Sequence, residues 1–95
     1  MSDSTNEETP EFVQAVKDVK ELDNVPNDKL LELYGLYKQV KEGSNETPKP
    51  SVFSGPKIRA KWDAWESQKG KANLKAQEEY VALVEELKEK YSKKS

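Results

Sequence analysis

The chain has 95 residues, of which 34% are hydrophobic and 36% are charged, and it contains neither cysteine nor histidine. This length predicts one small domain, and no apolar run reaches the roughly 18 residues that a transmembrane helix needs. Disulfides, thiolate zinc sites and the Ser-His-Asp and Cys-His mechanisms are excluded because their residues are missing. The composition therefore favours a binding protein over an enzyme.

The net charge of −2 is unevenly distributed along the chain. Residues 1–50 hold 11 acids and 6 bases (−5), whereas residues 51–95 hold 7 acids and 10 bases (+3). Between residues 57 and 75, six bases stand against two acids. A basic patch on an acidic protein indicates a discrete anionic ligand and argues against nucleic acid. A solvated lysine-rich face is the alternative.

Two helices are predicted in the first half of the chain. The first runs from about Pro10 to Leu22, with Thr9 as its N-cap and an apolar stripe at spacings of three and four. After the proline at position 26, a second helix is predicted from about Asp28 to Glu42. We expect the residue at 27 or 28 to cap it, and the glycine at 43 to end it.

The second half is predicted to begin with a loop over residues 43–56 and to continue with two more helices. Three prolines and two glycines prevent this loop from being helical, and loops of this length are commonly functional or disordered. The third helix is predicted from about Lys57 to Gln68. The fourth runs from about Asn73, a candidate cap, to Tyr91. No strand pattern or repeat is present, so the fold class is all-α with four helices.

Tyr34, Tyr37 and Lys38 are the first candidate binding residues, because positions i, i+3 and i+4 are neighbours on a helix. A phenol ring can stack on a heteroaromatic ring, and its hydroxyl can donate to phosphate. A lysine one turn away supplies the opposite charge. Taken alone, however, two tyrosines at this spacing are more often part of a core.

The second candidate group surrounds Trp62 and Trp65, which are three residues apart and are typical of a core. Lys61 lies beside them, and the methylene stem of such a lysine often only covers an indole. Tyr80 and Lys20 are further candidates on the fourth and first helices. None of these residues is specific by itself.

Taken together, these residues resemble the acyl-CoA-binding protein family. The similarity extends from about residue 12 to residue 91 and preserves order and spacing. Its most specific blocks are Tyr34-x-x-Tyr37-Lys38-Gln39 and Lys61-Trp62-Asp63-Ala64-Trp65, followed by Lys69-Gly70, Tyr80, Val84-Glu85-Glu86-Leu87 and Lys90-Tyr91.

The resemblance implies an up-down-down-up four-helix bundle that binds medium- to long-chain acyl-CoA esters without covalent chemistry. It implies that Tyr34, Lys38 and Lys61 meet the ribose 3′-phosphate and that Tyr37 lies against the adenine. Tyr80 and Lys20 would line the rest of the coenzyme A site, and the candidates for the acyl groove are Phe12, Val16, Leu30 and Leu31.

Because no targeting segment is recognisable, we expect a cytoplasmic location. The resemblance also implies a monomer without a cofactor, with transient contact to membranes or to acyl-CoA-using enzymes. We expect a polar, partly disordered extension over residues 1–9, one acyl-CoA-binding domain over 10–92, and a frayed tail over 93–95. The segment from residue 50 to 59 is about one residue longer than is usual in the family. The path of the loop therefore stays open, as do any contacts of Phe53 or Lys57.

Two other function classes remain as alternatives. A helical protein–protein module could keep the fold and lose the ligand, although Tyr34, Lys38 and Lys61 are all retained here. An enzyme such as a thioesterase would need a carboxylate mechanism, and no pair of carboxylates lies in the expected site. We therefore expect transport and sequestration of the ester, not catalysis.

Overall fold

The computed structural model describes residues 7–92, which form four α-helices and one short 3-10 turn at Val52–Ser54. The all-α fold class is confirmed; in these residues the backbone shows only an isolated bridge between Leu22 and Ser92 in place of strands. The expectations for residues 1–6 and 93–95 lie outside the described part of the chain. The helices are α1 (Pro10–Val19), α2 (Asn27–Glu42), α3 (Pro56–Glu66) and α4 (Asn73–Tyr91).

The start of α1 is as predicted, but its end is earlier. Thr9 Oγ1 accepts a hydrogen bond from the backbone N–H of Phe12 at 3.1 Å, and Pro10 occupies the first turn. The helix ends at Val19 because residues 20–22 continue with backbone bonds to the third preceding residue, which tighten the chain into a turn. This turn brings Leu22 to the end of α4.

The predicted caps of α2 and α4 are wrong. The N-cap of α2 is Pro26, without a side-chain hydrogen bond, and the N-cap of α4 is Ala72. Asn73 is already helical, and its side-chain N–H donates to the carbonyl of Val40 at 2.9 Å. This amide therefore joins α4 to the end of α2 and does not cap its own helix. The third helix also ends before its predicted limit, at Glu66, and residues 67–70 form turns.

Contacts at both ends of α1 show that it runs parallel to α4. Near the start of both helices, the Thr9 N–H donates to Gln77 Oε1 at 2.8 Å. Near their ends, Lys88 Nζ lies 3.1 Å from Asp18 Oδ2. Residue numbers therefore rise together along the two helices.

The second helix packs between α4 and α3 and runs opposite to α4. Asn73 contacts Val40, and the ring of Tyr80 lies 6.4 Å from that of Tyr37, so residue numbers rise on one helix as they fall on the other. The third helix is parallel to α2. Tyr34 contacts Lys61 and Lys38 contacts Trp65, so residue numbers rise together along α2 and α3. These directions confirm the up-down-down-up arrangement.

Gly35 sets how closely α2 and α3 approach. A Cβ atom at this position would lie 2.7 Å from the carbonyl carbon of Ala64 and 3.3 Å from the N atom of Trp65, and its nearest neighbour would be the Ala64 oxygen. Only glycine leaves room for the α3 backbone here. The core itself lies mainly between α1, α2 and α4, and its largest members are Phe12, Leu33, Leu36, Val40, Tyr80, Leu83, Val84 and Leu87.

Two indole groups hold the long loop before α3 in place. Trp65 Nε1 donates to the carbonyl of Gly43 at 2.8 Å, and Trp62 Nε1 donates to Thr47 Oγ1 at 2.9 Å. Asn45 is buried and forms an Asx turn by accepting from the N–H of Thr47. The loop is therefore an ordered wall beside α3, which the sequence alone left open.

Candidate functional site

The predicted residues of α2 do not all face the same neighbours. Tyr34 and Lys38 are directed toward α3, where Lys61 Nζ lies 5.5 Å from the centre of the Tyr34 ring. On the same side, Lys38 Nζ lies 4.6 Å from the centre of the Trp65 ring. The structure thus brings together Tyr34, Lys38 and Lys61, the three residues for which the family resemblance implies contact with a phosphate.

Tyr37 lies on the side of α2 that faces α1 and α4, in an aromatic cluster with Phe12 and Tyr80. The Phe12 and Tyr80 rings meet edge to face at 5.0 Å, and Tyr37 stacks on Phe12 at 6.3 Å. Phe12 and Tyr80 are buried, whereas Tyr37 is half-buried. Burial, followed by the proximity of Tyr37, raises the pKa of Tyr80 to about 12. Its phenol is therefore neutral, and Tyr37 alone of the three offers a substantial exposed ring surface.

Two acidic residues that the sequence analysis did not single out hold two lysines of α2. Lys38 Nζ forms an ion pair with Glu42, the last residue of the helix. Lys41 Nζ forms one with Glu8 and lies 5.5 Å from the centre of the Tyr37 ring. The hydrogen bond that Lys41 donates to Glu8 raises the pKa of Lys41 above its usual value. The i, i+4 spacing of Lys38 and Glu42 was the available signal for this pairing.

The position of Glu42 is electrostatically unfavourable for the helix. A carboxylate at a helix C-terminus faces the negative end of the macrodipole, and a Lys-to-Glu order is the weaker of the two i, i+4 orientations. The ion pair with Lys38 is on the surface, where such pairs contribute little. Little free energy is therefore needed to separate Glu42 from Lys38.

Two neighbouring pockets share Tyr34 and Lys61 in their walls. One, of about 260 Å³, is closed by the loop residues Thr47 and Pro50 and by Ile58. The other, of about 330 Å³, is lined by Leu30 and Leu31 of α2 and by Lys57 and Ala60 of α3, among others. Apolar walls and lysine ammonium groups thus meet in one concave region, which suits an amphiphilic anion.

The remaining predicted residues are placed differently. Leu30 and Leu31 line the larger of these two pockets, whereas Val16 packs against the core and Phe12 is fully enclosed in it. Lys20 is exposed at the end of α1, and no described contact joins it to the other predicted residues. Sequence reasoning missed Ile58 and Ala60 as wall residues and left Lys57 open. These three become recognisable only when α3 is placed against α2.

The described side chains offer binding groups but no evident catalytic set. Among residues 7–92, no group of three or more His, Cys, Asp or Glu side chains is arranged to hold a metal ion. In the same part of the chain, no helix combines the length and hydrophobicity required to cross a bilayer. The region between α2 and α3 instead supplies ammonium groups, phenols and apolar surface.

Comparisons with known proteins agree with this geometry. The family model described as "Acyl CoA binding protein" matches residues 9–84. The acyl-CoA-binding protein of Saccharomyces cerevisiae is 50% identical over 82 residues, which cover 85% of this chain and 93% of the relative. Acyl-CoA-binding protein homolog 1 of Caenorhabditis elegans is 51% identical over 84 residues, covering 87% and 96%.

Solved structures are similar as well. The crystal structure of Oryza sativa acyl-CoA-binding protein 2 superposes with a TM-score of 0.78 at 40% identity, covering 83% of this chain and 88% of that one. The solution structure of the yeast acyl coenzyme A binding protein gives 0.66 at 49% identity, covering 86% and 95%. The chain belongs to the acyl-CoA-binding protein family, a family of binding proteins.

Proposed function

We propose that this protein binds medium- to long-chain acyl-CoA esters non-covalently and serves as an intracellular carrier and reservoir for them. The observation that carries the proposal is the pocket of about 330 Å³ in which Leu30 and Leu31 share the walls with Tyr34, Lys57 and Lys61. An acyl-CoA ester has an anionic, aromatic head and an apolar tail, and this region offers both kinds of surface.

The head of the ester is assigned to the junction of α2 and α3. Tyr34, Lys38 and Lys61 converge there, and two ammonium groups with a phenol hydroxyl can make charge-assisted hydrogen bonds to a ribose 3′-phosphate. Tyr37 offers a half-exposed ring for the adenine. Lys20 and Tyr80 are assigned to the remainder of the coenzyme A moiety.

The tail is assigned to the apolar wall formed by Leu30 and Leu31. Val16 and Phe12, the other two candidates for the acyl groove, belong to the core or pack against it. Each methylene group that leaves water contributes about 0.8 kcal/mol, so affinity should rise with chain length until the groove is full. Burial of the thioester would also slow its hydrolysis, which suits a carrier.

We further propose that the protein acts as a cytoplasmic monomer without catalytic activity of its own. The lack of cysteine and histidine supports the absence of catalytic activity, because neither a thiol nucleophile nor an imidazole base is available. Loading and unloading would involve transient contact with membranes or with acyl-CoA-using enzymes.

Isothermal titration with palmitoyl-CoA, and with free CoA and palmitate separately, tests the proposal. We expect one site per monomer and an affinity for the ester far above that for either half, because head and tail occupy one continuous site. If the ester does not bind, a helical protein–protein module becomes the better explanation. Release of free CoA above background during incubation would instead indicate a thioesterase.

Two variants test the assignment of the head group. Lys38→Ala and Lys61→Ala should each weaken ester binding at least tenfold, because a charge-assisted bond to phosphate is lost. Lys90→Ala is the matched control, since Lys90 is an exposed lysine of α4 outside the described pockets. Circular dichroism should show unchanged helix content in all three. Unchanged affinity in both site variants would refute the assignment.

A further inference from the structure

The segment that leads into and through the first part of α3 has an unusual charge composition. Residues 47–62 contain Lys49, Lys57, Arg59 and Lys61 but no acidic residue. The chain has 18 acids in 95 residues, so an even distribution would place about three of them in this segment. The segment therefore carries four positive charges on a protein whose net charge is −2.

The same segment exposes large apolar side chains. Phe53 is 94% exposed, Val52 is 67% exposed and Ile58 is 55% exposed. Single exposed apolar residues are ordinary, whereas several within one short segment mark an interaction surface. Apolar and basic side chains thus occur together in this segment, which we call the docking surface: Lys49, Val52, Phe53, Lys57 and Ile58.

The backbone beneath Phe53 is held in place. The Phe53 N–H donates to Ser51 Oγ at 3.2 Å, and the Ser54 N–H donates to the Ser51 carbonyl at 3.0 Å. The 3-10 turn also packs against α3. Phe53 is therefore presented to solvent by an ordered turn, so its exposure is a consequence of the fold.

The docking surface borders the entrance to the proposed ligand site. Ile58 lines the pocket of about 260 Å³, and Lys57 lines the pocket of about 330 Å³ together with Leu30, which is also exposed. A partner that binds the docking surface would therefore also lie next to the region where the acyl chain would enter.

We propose that the docking surface binds the surface of a lipid bilayer that contains anionic lipids, with Phe53 and Val52 inserted at the level of the headgroups. Basic residues that lie next to an anionic leaflet each strengthen partitioning by about fivefold, and apolar side chains beside them add burial in the interface. This inference rests on the proposed function, because an acyl-CoA ester held in a bilayer would meet the pocket entrance directly.

The charge and size of the surface favour a lipid partner over a protein. The segment has only basic charges, which match the uniform negative charge of such a leaflet. A three-residue turn with two projecting side chains is small compared with the roughly 800 Å² that each partner buries in a standard protein interface. Lysine stems can also extend along the headgroups while their ammonium groups stay in water.

Co-sedimentation of the ligand-free protein with vesicles tests the proposal. One set of vesicles contains only phosphatidylcholine, and the other contains about 30% phosphatidylserine. We expect at least tenfold stronger binding to the anionic vesicles, with the difference reduced by salt. Absence of binding to the anionic vesicles, or equal binding to both sets, would overturn the proposal.

Matched variants locate the surface. Phe53→Ser and Lys49→Glu should each reduce vesicle binding at least fivefold. Leu74→Ser and Lys90→Glu are the controls, because Leu74 is 56% exposed and Lys90 is an exposed lysine, and both lie on α4. Binding of Phe53→Ser and Lys49→Glu at the wild-type level would show that the surface lies elsewhere.

Two further measurements distinguish failure of the docking surface from failure of the proposed function, and a lipid partner from a second copy of the protein. Titration of Phe53→Ser with palmitoyl-CoA in the absence of vesicles should match the wild type, since Phe53 lines neither of the two pockets at the site. Vesicle binding without ester binding would refute the proposed function and leave the docking surface standing. Sedimentation velocity should show a monomer; a dimer that Phe53→Ser dissociates would assign this surface to a second copy and overturn the lipid proposal.

Discussion

Replacement of Gly35 by alanine should destabilise the protein, although alanine is the better helix former. In an open helix position, Gly→Ala stabilises by about 1 kcal/mol. Here the new Cβ would lie 2.7 Å from the carbonyl carbon of Ala64 and 3.3 Å from the N atom of Trp65. All neighbouring atoms belong to the α3 backbone, so no side-chain rotation can relieve the clash.

The magnitude follows from the distance by which α3 must move. Carbon atoms in contact are separated by about 3.5–4.0 Å, so the two helices must separate locally by about 1 Å. Overpacking costs about 1–3 kcal/mol, and the upper part of this range, about 2–3 kcal/mol, applies here because the clash is with backbone atoms; this cost exceeds the gain in helix propensity. We therefore expect a net loss of about 1–2 kcal/mol. The same movement would separate Tyr34 and Lys38 from Lys61, so ester binding should weaken as well.

Urea denaturation followed by circular dichroism measures this effect. With a slope of about 1 kcal/mol per molar urea for a small domain, the midpoint of Gly35→Ala should fall by about 1–2 M. Ala82→Gly, at an exposed position of α4, calibrates the propensity difference and should cost about 1 kcal/mol. A rise in the midpoint of Gly35→Ala would refute the close approach of α2 and α3.

Three other substitutions test individual ionisable side chains. Glu42→Gln should raise the affinity for CoA by roughly threefold to tenfold at low salt, because Lys38 loses its competing anion; an unchanged or lower affinity in titration would contradict this. In an alkaline absorbance titration, one of the four tyrosines should ionise only at a pKa of about 12, and Tyr80→Phe should remove that step. The stability that comes from neutral Tyr80 is complete below its ordinary pKa of 10.0 and is lost as pH rises through about 12. Between these pH values, Tyr80→Phe should therefore lose less stability than the wild type. Hydrogen bonds from Gln14 and Lys88 lower the pKa of Asp18 below 3.8. This contribution is present above 3.8 and is lost as pH falls through the lowered value, so Asp18→Asn should be less stable than the wild type at neutral pH, and the difference should shrink as pH falls below 3.8. A difference in urea denaturation that stays constant as the pH is lowered would count against the pairing.

The number and type of the helices were predictable because their signals are local. Thr9 and Pro10 begin α1 as predicted, and Gly43 follows α2 as its stop. Capping and chain reversal depend on hydrogen bonds and dihedral angles within a few residues. The cap predictions at α2 and α4 failed for a tertiary reason that Asn73 illustrates, since its amide bonds to Val40 on another helix.

The convergence of Tyr34, Lys38 and Lys61 was predictable only through the resemblance to a family. Helical spacing places Tyr34 and Lys38 together on α2, but no local rule brings Lys61 to them across more than 20 residues. Their proximity depends on how α3 packs against α2, which Gly35 permits. The assignment of Lys20 stays a prediction, because the end of α1 makes no described contact with this group.

The sequence by itself determined four helices, their approximate limits and the residue types of an amphiphile-binding site, because periodicity and punctuation act over a few residues. Only the tertiary structure decided the course of the loop over residues 43–56, the pairing of Lys41 with Glu8 and the exposure of Phe53. The loop and Phe53 depend on which surfaces the packed helices cover, and that is set by contacts between residues far apart in the chain. The pairing depends on the packing that brings Glu8 beside Lys41, 33 residues away along the chain.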